Sequence, residues 1–132
     1  MAYQHIVVAV DGSASSREAL ERGIELARRS HELTILGIEE PWPVHAEAKS
    51  RASGNGHLDA IVADAVGHAQ QAGVQAHGQV LHGYPAEVLV KFSAENGCDL
   101  VILGAGPRVS TWLGSTADKV VDRATCAVLI VR

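Results

Sequence analysis

Four short runs of this chain contain almost nothing but β-branched and aliphatic residues: Ile6-Val7-Val8-Ala9-Val10, Leu33 to Ile38, Leu100-Val101-Ile102-Leu103 and Ala127-Val128-Leu129-Ile130-Val131. A strand with one solvent face alternates apolar and polar side chains, whereas these runs leave no side chain suited to water on either face. They require cover above and below. Between them lie stretches with helical periodicity, which supply that cover. Leu20, Gly23, Ile24 and Ala27 fall on one helical face after the first run, and Ser15-Ser16-Arg17-Glu18 before them has capping-box spacing. Leu58, Ile61, Val62, Ala65, Val66 and Ala69 form a second stripe closed by Gly73. Ala86, Leu89 and Phe92 form a third that opens at Pro85 and stops at Gly97. Leu113, Ala117, Val120, Val121 and Ala124 form a fourth. A weaker run, Val74 to Leu81, reads as an edge strand. The interval from Pro41 to Gly56 is polar and contains Pro, Gly and Ser, and reads as the longest irregular connection, with Trp42 anchoring it.

Strands that alternate with helices in this way predict an α/β fold: a doubly wound, mainly parallel five-stranded sheet with right-handed crossovers and helices on both faces. The 132 residues suit a single domain over 1–132. A formal charge of -4 disfavours a nucleic-acid footprint, and no uncharged apolar run is long enough to span a bilayer. The start of the chain lacks the basic and apolar regions of a secretory leader, so the expected location is the cytoplasm. Cys98 and Cys126 lack CxxC spacing and read as buried, reduced thiols. The seven histidines show no paired ligand spacing, and no metal site is expected.

Ligands of such sheets bind at the carboxyl ends of the strands, where the strand order reverses. Polar and glycine residues are concentrated there. The first strand runs through Val10 into Asp11-Gly12-Ser13, and the fourth into Gly104-Ala105-Gly106-Pro107-Arg108. Gly114-Ser115-Thr116 then opens a helix, whose unpaired N–H groups and dipole suit a phosphate. Each feature also has a local explanation: Asp11 as an Asx turn or cap, Gly104 as a tight turn, Arg108 as a solvated charge. There is no GxSxG elbow or Walker A sequence, and a phosphate cradle without a positioned base binds rather than catalyses. A catalytic role is not expected.

Five blocks together resemble the universal stress protein family: Val8-Ala9-Val10-Asp11-Gly12-Ser13, Gly83-Tyr84-Pro85-Ala86-Glu87, Asp99 to Gly104, Leu113 to Val120, and Cys126 to Val131. The resemblance extends over nearly the whole chain. It implies strand order 3-2-1-4-5, a stress-response role as sensor or regulator, and ATP or AMP as ligand. By the same resemblance Asp11 contacts the ribose or adenine side, Ile38 offers its backbone to the adenine edge, and Gly104, Gly114, Ser115 and Thr116 hold the phosphates. A homodimer through the 127–131 strand is also implied, and its apolar character agrees. The chain departs from the family pattern where Pro107 replaces a second glycine and where only nine residues separate Gly104 from Gly114, a shortened loop. Proline removes one N–H donor, and Arg108 is placed to compensate as a bidentate phosphate ligand. The alternative is a nucleotide-independent dimeric interaction module of the same fold. A phosphoacceptor receiver domain would need clustered acids after the first strand, where Asp11 stands alone.

Overall fold

A computed structural model describes residues 3–28, 32–41, 48–106 and 114–132, with only the backbone course for 48–56. Its elements alternate throughout: β1 (His5–Ala9), α1 (Ala14–Ala27), β2 (Glu32–Glu39), α2 (Ala48–Gln71), β3 (Ala76–His82), α3 (Pro85–Glu95), β4 (Leu100–Gly104), α4 (Ser115–Arg123) and β5 (Ala127–Val131). The strands form one parallel sheet in the order β3-β2-β1-β4-β5. Both the alternation and the order agree with expectation.

The apolar runs are covered on both faces because successive side chains of a strand point opposite ways. Ile6 and Val8 of β1, with Ile35 of β2 and Ile102 of β4, pack under α1 and α2 against Leu20, Ile24, Val62 and Ala65. Val7, Leu36, Val101 and Leu103 face the opposite way, onto Ala86 and Leu89 of α3 and Ala117 and Val120 of α4. The fully buried Ile6, Ile35, Leu36, Leu89 and Ile102 show how completely the central strands are enclosed. Full burial of such a side chain stabilises by about 1.5–3 kcal/mol. Among the described residues no helix is long and apolar enough to cross a membrane.

Three local expectations need correction. The second helix begins at Ala48, ten residues before the first residue of its apolar stripe, so much of the supposed irregular connection is helical. Ala48, Lys49, Arg51 and Ala52 favour helix, and Gly54 and Gly56 cost about 1 kcal/mol each without ending a helix whose later turns are packed. The cap of α1 is Ser13 rather than Ser15: its Oγ accepts the Ser16 N–H at 3.2 Å, because the turn at Asp11 delivers Ser13 to that position. Val121 is half exposed, since α4 turns only Ala117 and Val120 fully into the core. Cys98 is buried and Cys126 half-buried, both as free thiols.

β1 lies between β2 and β4, and the chain leaves it toward α1 on one face while α3 and α4 cover the other. The loop after β1 and the loop after β4 therefore face each other across the carboxyl end of the sheet. That opening is where the topology allows a ligand to enter.

Candidate functional site

The β1–α1 turn is built by its own short polar side chains. The Ser13 N–H donates to Asp11 Oδ1 at 2.9 Å, an Asx turn, and Gly12 in the middle takes φ +87°. Ser16 is buried, and its hydroxyl accepts the Asp11 N–H at 3.2 Å and donates to the Ser13 carbonyl at 3.1 Å. Partial burial pushes the Asp11 carboxyl up, but hydrogen bonding from Ser13 and Ser16 outweighs it and leaves the pKa below the ordinary carboxylate value. Asp11 is thus a fixed anion at neutral pH, with one oxygen committed to the turn.

On the facing side, the Ala105 N–H donates to the Val131 carbonyl at 2.8 Å, which ties the exit of β4 to the end of β5. The Gly114 N–H returns to the Ala105 carbonyl at 3.2 Å, and the Asp118 N–H to Gly114 at 2.9 Å starts α4. Both glycines are required by contact. A Cβ on Gly104 would stand 2.6 Å from Ser15 Oγ and 2.7 Å from the Ser15 carbonyl carbon, and one on Gly114 would stand 2.9 Å from the Ala105 oxygen. The absence of side chains lets α1 and the start of α4 close to within reach of one ligand.

Between the two loops lies a crevice of about 270 Å³, near the lower end of ordinary small-molecule pockets at about 300–1,000 Å³. Val10, Asp11, Ser13, Ile38, Gly104, Gly106, Gly114, Ser115 and Thr116 all line it. These are candidates from three separate strand ends, brought together. Gly12 is not among them: it faces Ile61 and borders a different cavity, of about 310 Å³, between α1 and α2. The physical reason is its left-handed turn conformation, which directs the position away from the sheet end. Arg108, Pro107, Leu113 and Trp42 lie outside the described residues.

Ser15 in the crevice wall and Arg132 beside the crevice are not among the sequence candidates. Ser15, half-buried, sits against Gly104 with its hydroxyl 3.5 Å from that of Ser13. The serine run at 13, 15 and 16 is its signal in the sequence. Arg132 borders an outer cavity of about 510 Å³ with Asp11, Ser13, Ala14, Ser15, Glu18 and Gly106. Its signal was a cation directly after a strand whose end adjoins the crevice.

Chemically, the crevice offers a carboxylate at the β1 end, backbone and an apolar side chain at Ile38, and the hydroxyls of Ser115 and Thr116 on the first turn of α4. The first N–H groups of that turn precede any intrahelical partner. An acceptor at one end and anion-binding donors at the other suit a ligand with hydroxyls or a base on one side and phosphate on the other.

The sequence profile described as the universal stress protein family matches residues 2–132. The universal stress protein YxiE of Bacillus subtilis is 29% identical over 147 residues, spanning 98% of this chain and 99% of that protein. The universal stress protein A homolog 2 of Coxiella burnetii is 31% identical over 139 residues, spanning 98% of this chain and 95% of that one. A universal stress protein crystallised in complex with cAMP superposes with a TM-score of 0.78 at 30% identity, covering 100% of this chain and 98% of its own.

Proposed function

The chain belongs to the universal stress protein family, and from that premise we propose that it binds an adenine nucleotide, ATP, ADP or AMP, in the β1/β4 crevice and uses occupancy to regulate a stress response. The observation that carries the reading is the convergence of Asp11, Ile38 and the Ser115-Thr116 helix start on one crevice. The similar protein crystallised with cAMP supports the adenine class. Asp11 accepts from ribose hydroxyls, Ile38 presents its backbone to the base, and the first turn of α4 receives the phosphate. A site of this kind binds and releases; its output is a change of conformation or partner rather than a chemical product.

Calorimetry with ATP, ADP and AMP on protein stripped of co-purified ligand tests the reading. Loss of the Ser115 hydroxyl, a donor to a charged oxygen, should weaken binding about tenfold, from roughly 1.5 kcal/mol. Absence of heat with all three nucleotides, or an affinity unmoved by both Ser115→Ala and Asp11→Ala, refutes it.

A homodimer through the 127–131 strand belongs to the same reading. Among the described residues β5 is paired on one side only, with β4, and Val128, Leu129 and Ile130 are incompletely buried. A second strand laid along that edge would satisfy the open backbone and cover those side chains. Light scattering on Ile130→Lys should report a monomer or aggregate, and an unchanged dimer would place the interface elsewhere.

A further inference from the structure

The cavity of about 310 Å³ between α1 and α2 lies behind the turn that holds Asp11. Val10 and Ser16 line both it and the crevice, but the Ser16 hydroxyl is engaged by the Asp11 N–H and the Ser13 carbonyl as part of that turn. The floor of the cavity is apolar: Val10, Leu20 and Ala65 are buried and Ile61 is half-buried. Its rim is charged, with Arg17 and Glu21 on α1 and Asp64 and His68 on α2, all four exposed.

The order of the rim follows from the topology. Each helix returns the chain between neighbouring parallel strands, so α1 and α2 run the same way. Contacts at two levels fix their register. At one end a Cβ on Gly12 would stand 2.8 Å from Ile61 Cδ1, an approach that closes the cavity there. At the other, His68 Nε2 meets Glu21 Oε1 at 2.5 Å and bridges the two helices. Arg17 and Asp64 each lie one helical turn before that bridge, and so on facing sides of the mouth between the two closures. Glu21 and His68 satisfy each other, whereas Arg17 and Asp64 do not. Among the described residues no ion pair joins them and Asp64 has no hydrogen bond, while Arg17 spends one nitrogen on the Gly12 carbonyl at 3.3 Å. An anion therefore faces a cation with donors to spare, over an apolar floor.

An apolar guest would leave both charges unused, an amine would meet Arg17 as a like charge, and a carboxylate would meet Asp64 as one. A zwitterion answers both: its carboxylate accepts from the guanidinium fork, and its ammonium donates to Asp64. An α-amino acid carries those two groups on one carbon, with its side chain free to point inward. A volume at the lower end of small-molecule pockets suits an aliphatic side chain. We propose that the α1/α2 cavity binds a free aliphatic amino acid, with Arg17 on its carboxylate, Asp64 on its ammonium and its side chain against Leu20, Ile61 and Ala65. The site is independent of the nucleotide reading and stands whether or not the crevice is filled.

The test is an NMR titration of the ¹⁵N-labelled full chain with L-leucine, with 3-methylbutylamine, which lacks the carboxylate, with 4-methylpentanoate, which lacks the ammonium, and with glycine, which lacks the side chain. Leucine should shift the amides of Leu20, Ile61 and Ala65 saturably. Each analogue with a single charge should bind about fivefold more weakly or worse, and glycine should not saturate. Arg17→Gln should bring leucine down to the affinity of 3-methylbutylamine, and Asp64→Asn down to that of 4-methylpentanoate. Both side chains are exposed, and an unchanged spectrum away from α1 and α2 checks that the variants are folded. No saturable shift with millimolar leucine, an analogue that binds as well as leucine, or variants that keep the preference for leucine overturns the proposal. AMP titrated in parallel reports on the crevice, so failure of either site is read apart from the other.

Discussion

Replacing Gly104 with alanine tests whether the crevice is held closed by close approach of α1 to the end of β4. The new methyl would lie 2.6 Å from Ser15 Oγ, 2.8 Å from Ser15 Cβ and 2.7 Å from the Ser15 carbonyl carbon. The hydroxyl can rotate away, but the backbone carbon belongs to the first turn of a packed helix and cannot. Relief requires α1 to back off by several tenths of an ångström, and α1 also carries Leu20 and Ile24 into the core. Overpacking of this kind costs about 1–3 kcal/mol, against which alanine regains about 0.4–1 kcal/mol by restricting the unfolded chain. The net expectation is a loss of about 1–2 kcal/mol, or a midpoint lower by roughly 3–8 °C for a domain of this size. Gly106→Ala is the matched control. That position has φ +87° and, among the described residues, nothing within 4 Å, so its expected cost is the conformational one, about 1 kcal/mol. Urea titration gives both stabilities, and nucleotide calorimetry gives the second readout. Only Gly104→Ala moves Ser15, which lines the crevice and the outer cavity beside it, so it should lose affinity beyond what Gly106→Ala loses. Ser15→Ala in the Gly104→Ala background should recover part of the stability, not all, because the carbonyl clash persists. A Gly104→Ala protein as stable as the parent, or full recovery in the double variant, would refute the contact argument.

Two further outcomes follow from charge and burial. Burial pushes the Asp99 carboxyl up, but hydrogen bonds from the Gln4 and His5 N–H groups, at 2.9 and 3.0 Å, outweigh it and hold the pKa below the ordinary value. A depressed folded pKa contributes stability fully present above the unfolded value of about 3.9 and lost as pH falls through the folded value. Asp99→Asn should therefore cost about 1 kcal/mol at neutral pH and flatten the acid limb of stability measured by denaturation between pH 6 and 2; an unchanged limb would contradict it. Burial first, then the neighbouring Cys126, Asp99 and Glu32, pushes the Cys98 thiol up from 9.0 to about 11. Iodoacetamide at pH 8 should alkylate Cys98 about a hundred times more slowly in the folded protein than in urea, read by peptide mass spectrometry, and comparable rates would count against the burial.

What the sequence disclosed and what it hid follow from the range of the interactions involved. The strands of the sheet interior were legible because burial on both faces forbids polar residues, and Ile6-Val7-Val8 shows that constraint without reference to anything distant. The start of α2 was not legible. Gly54 and Gly56 carry the local signature of a loop, and the helix that overrides them draws its stability from Val62, Ala65 and Ala69 packed later in the same element. Val121 was misplaced for a related reason: in a helix of nine residues a single stripe cannot be told from its neighbour one residue on. Ser15 and Arg132 became candidates only once the sheet brought α1 and the end of β5 to one rim, a proximity between residues far apart in sequence.

The glycines of the crevice show how a motif can overstate its own evidence. Read from sequence, Gly104 and Gly114 stand for a backbone that lets a phosphate approach. In the structure both are already demanded by the protein itself, one by Ser15 and the other by the Ala105 carbonyl. A fold with no ligand would need them equally, so their presence supports the architecture and says nothing for the nucleotide. The packing around Ser115 and Thr116 makes no such demand: Ser115 is exposed, Thr116 is half-buried, and neither hydroxyl caps the helix, whose N-cap is Gly114. Among the described residues this hydroxyl pair on the first turn of α4, which lines the crevice together with Asp11, makes no hydrogen bond that alanine would lose. The functional weight therefore rests on these side chains, and Ser115→Ala, which should leave stability within about 0.5 kcal/mol of the parent while weakening nucleotide binding, separates site from scaffold more cleanly than any glycine substitution.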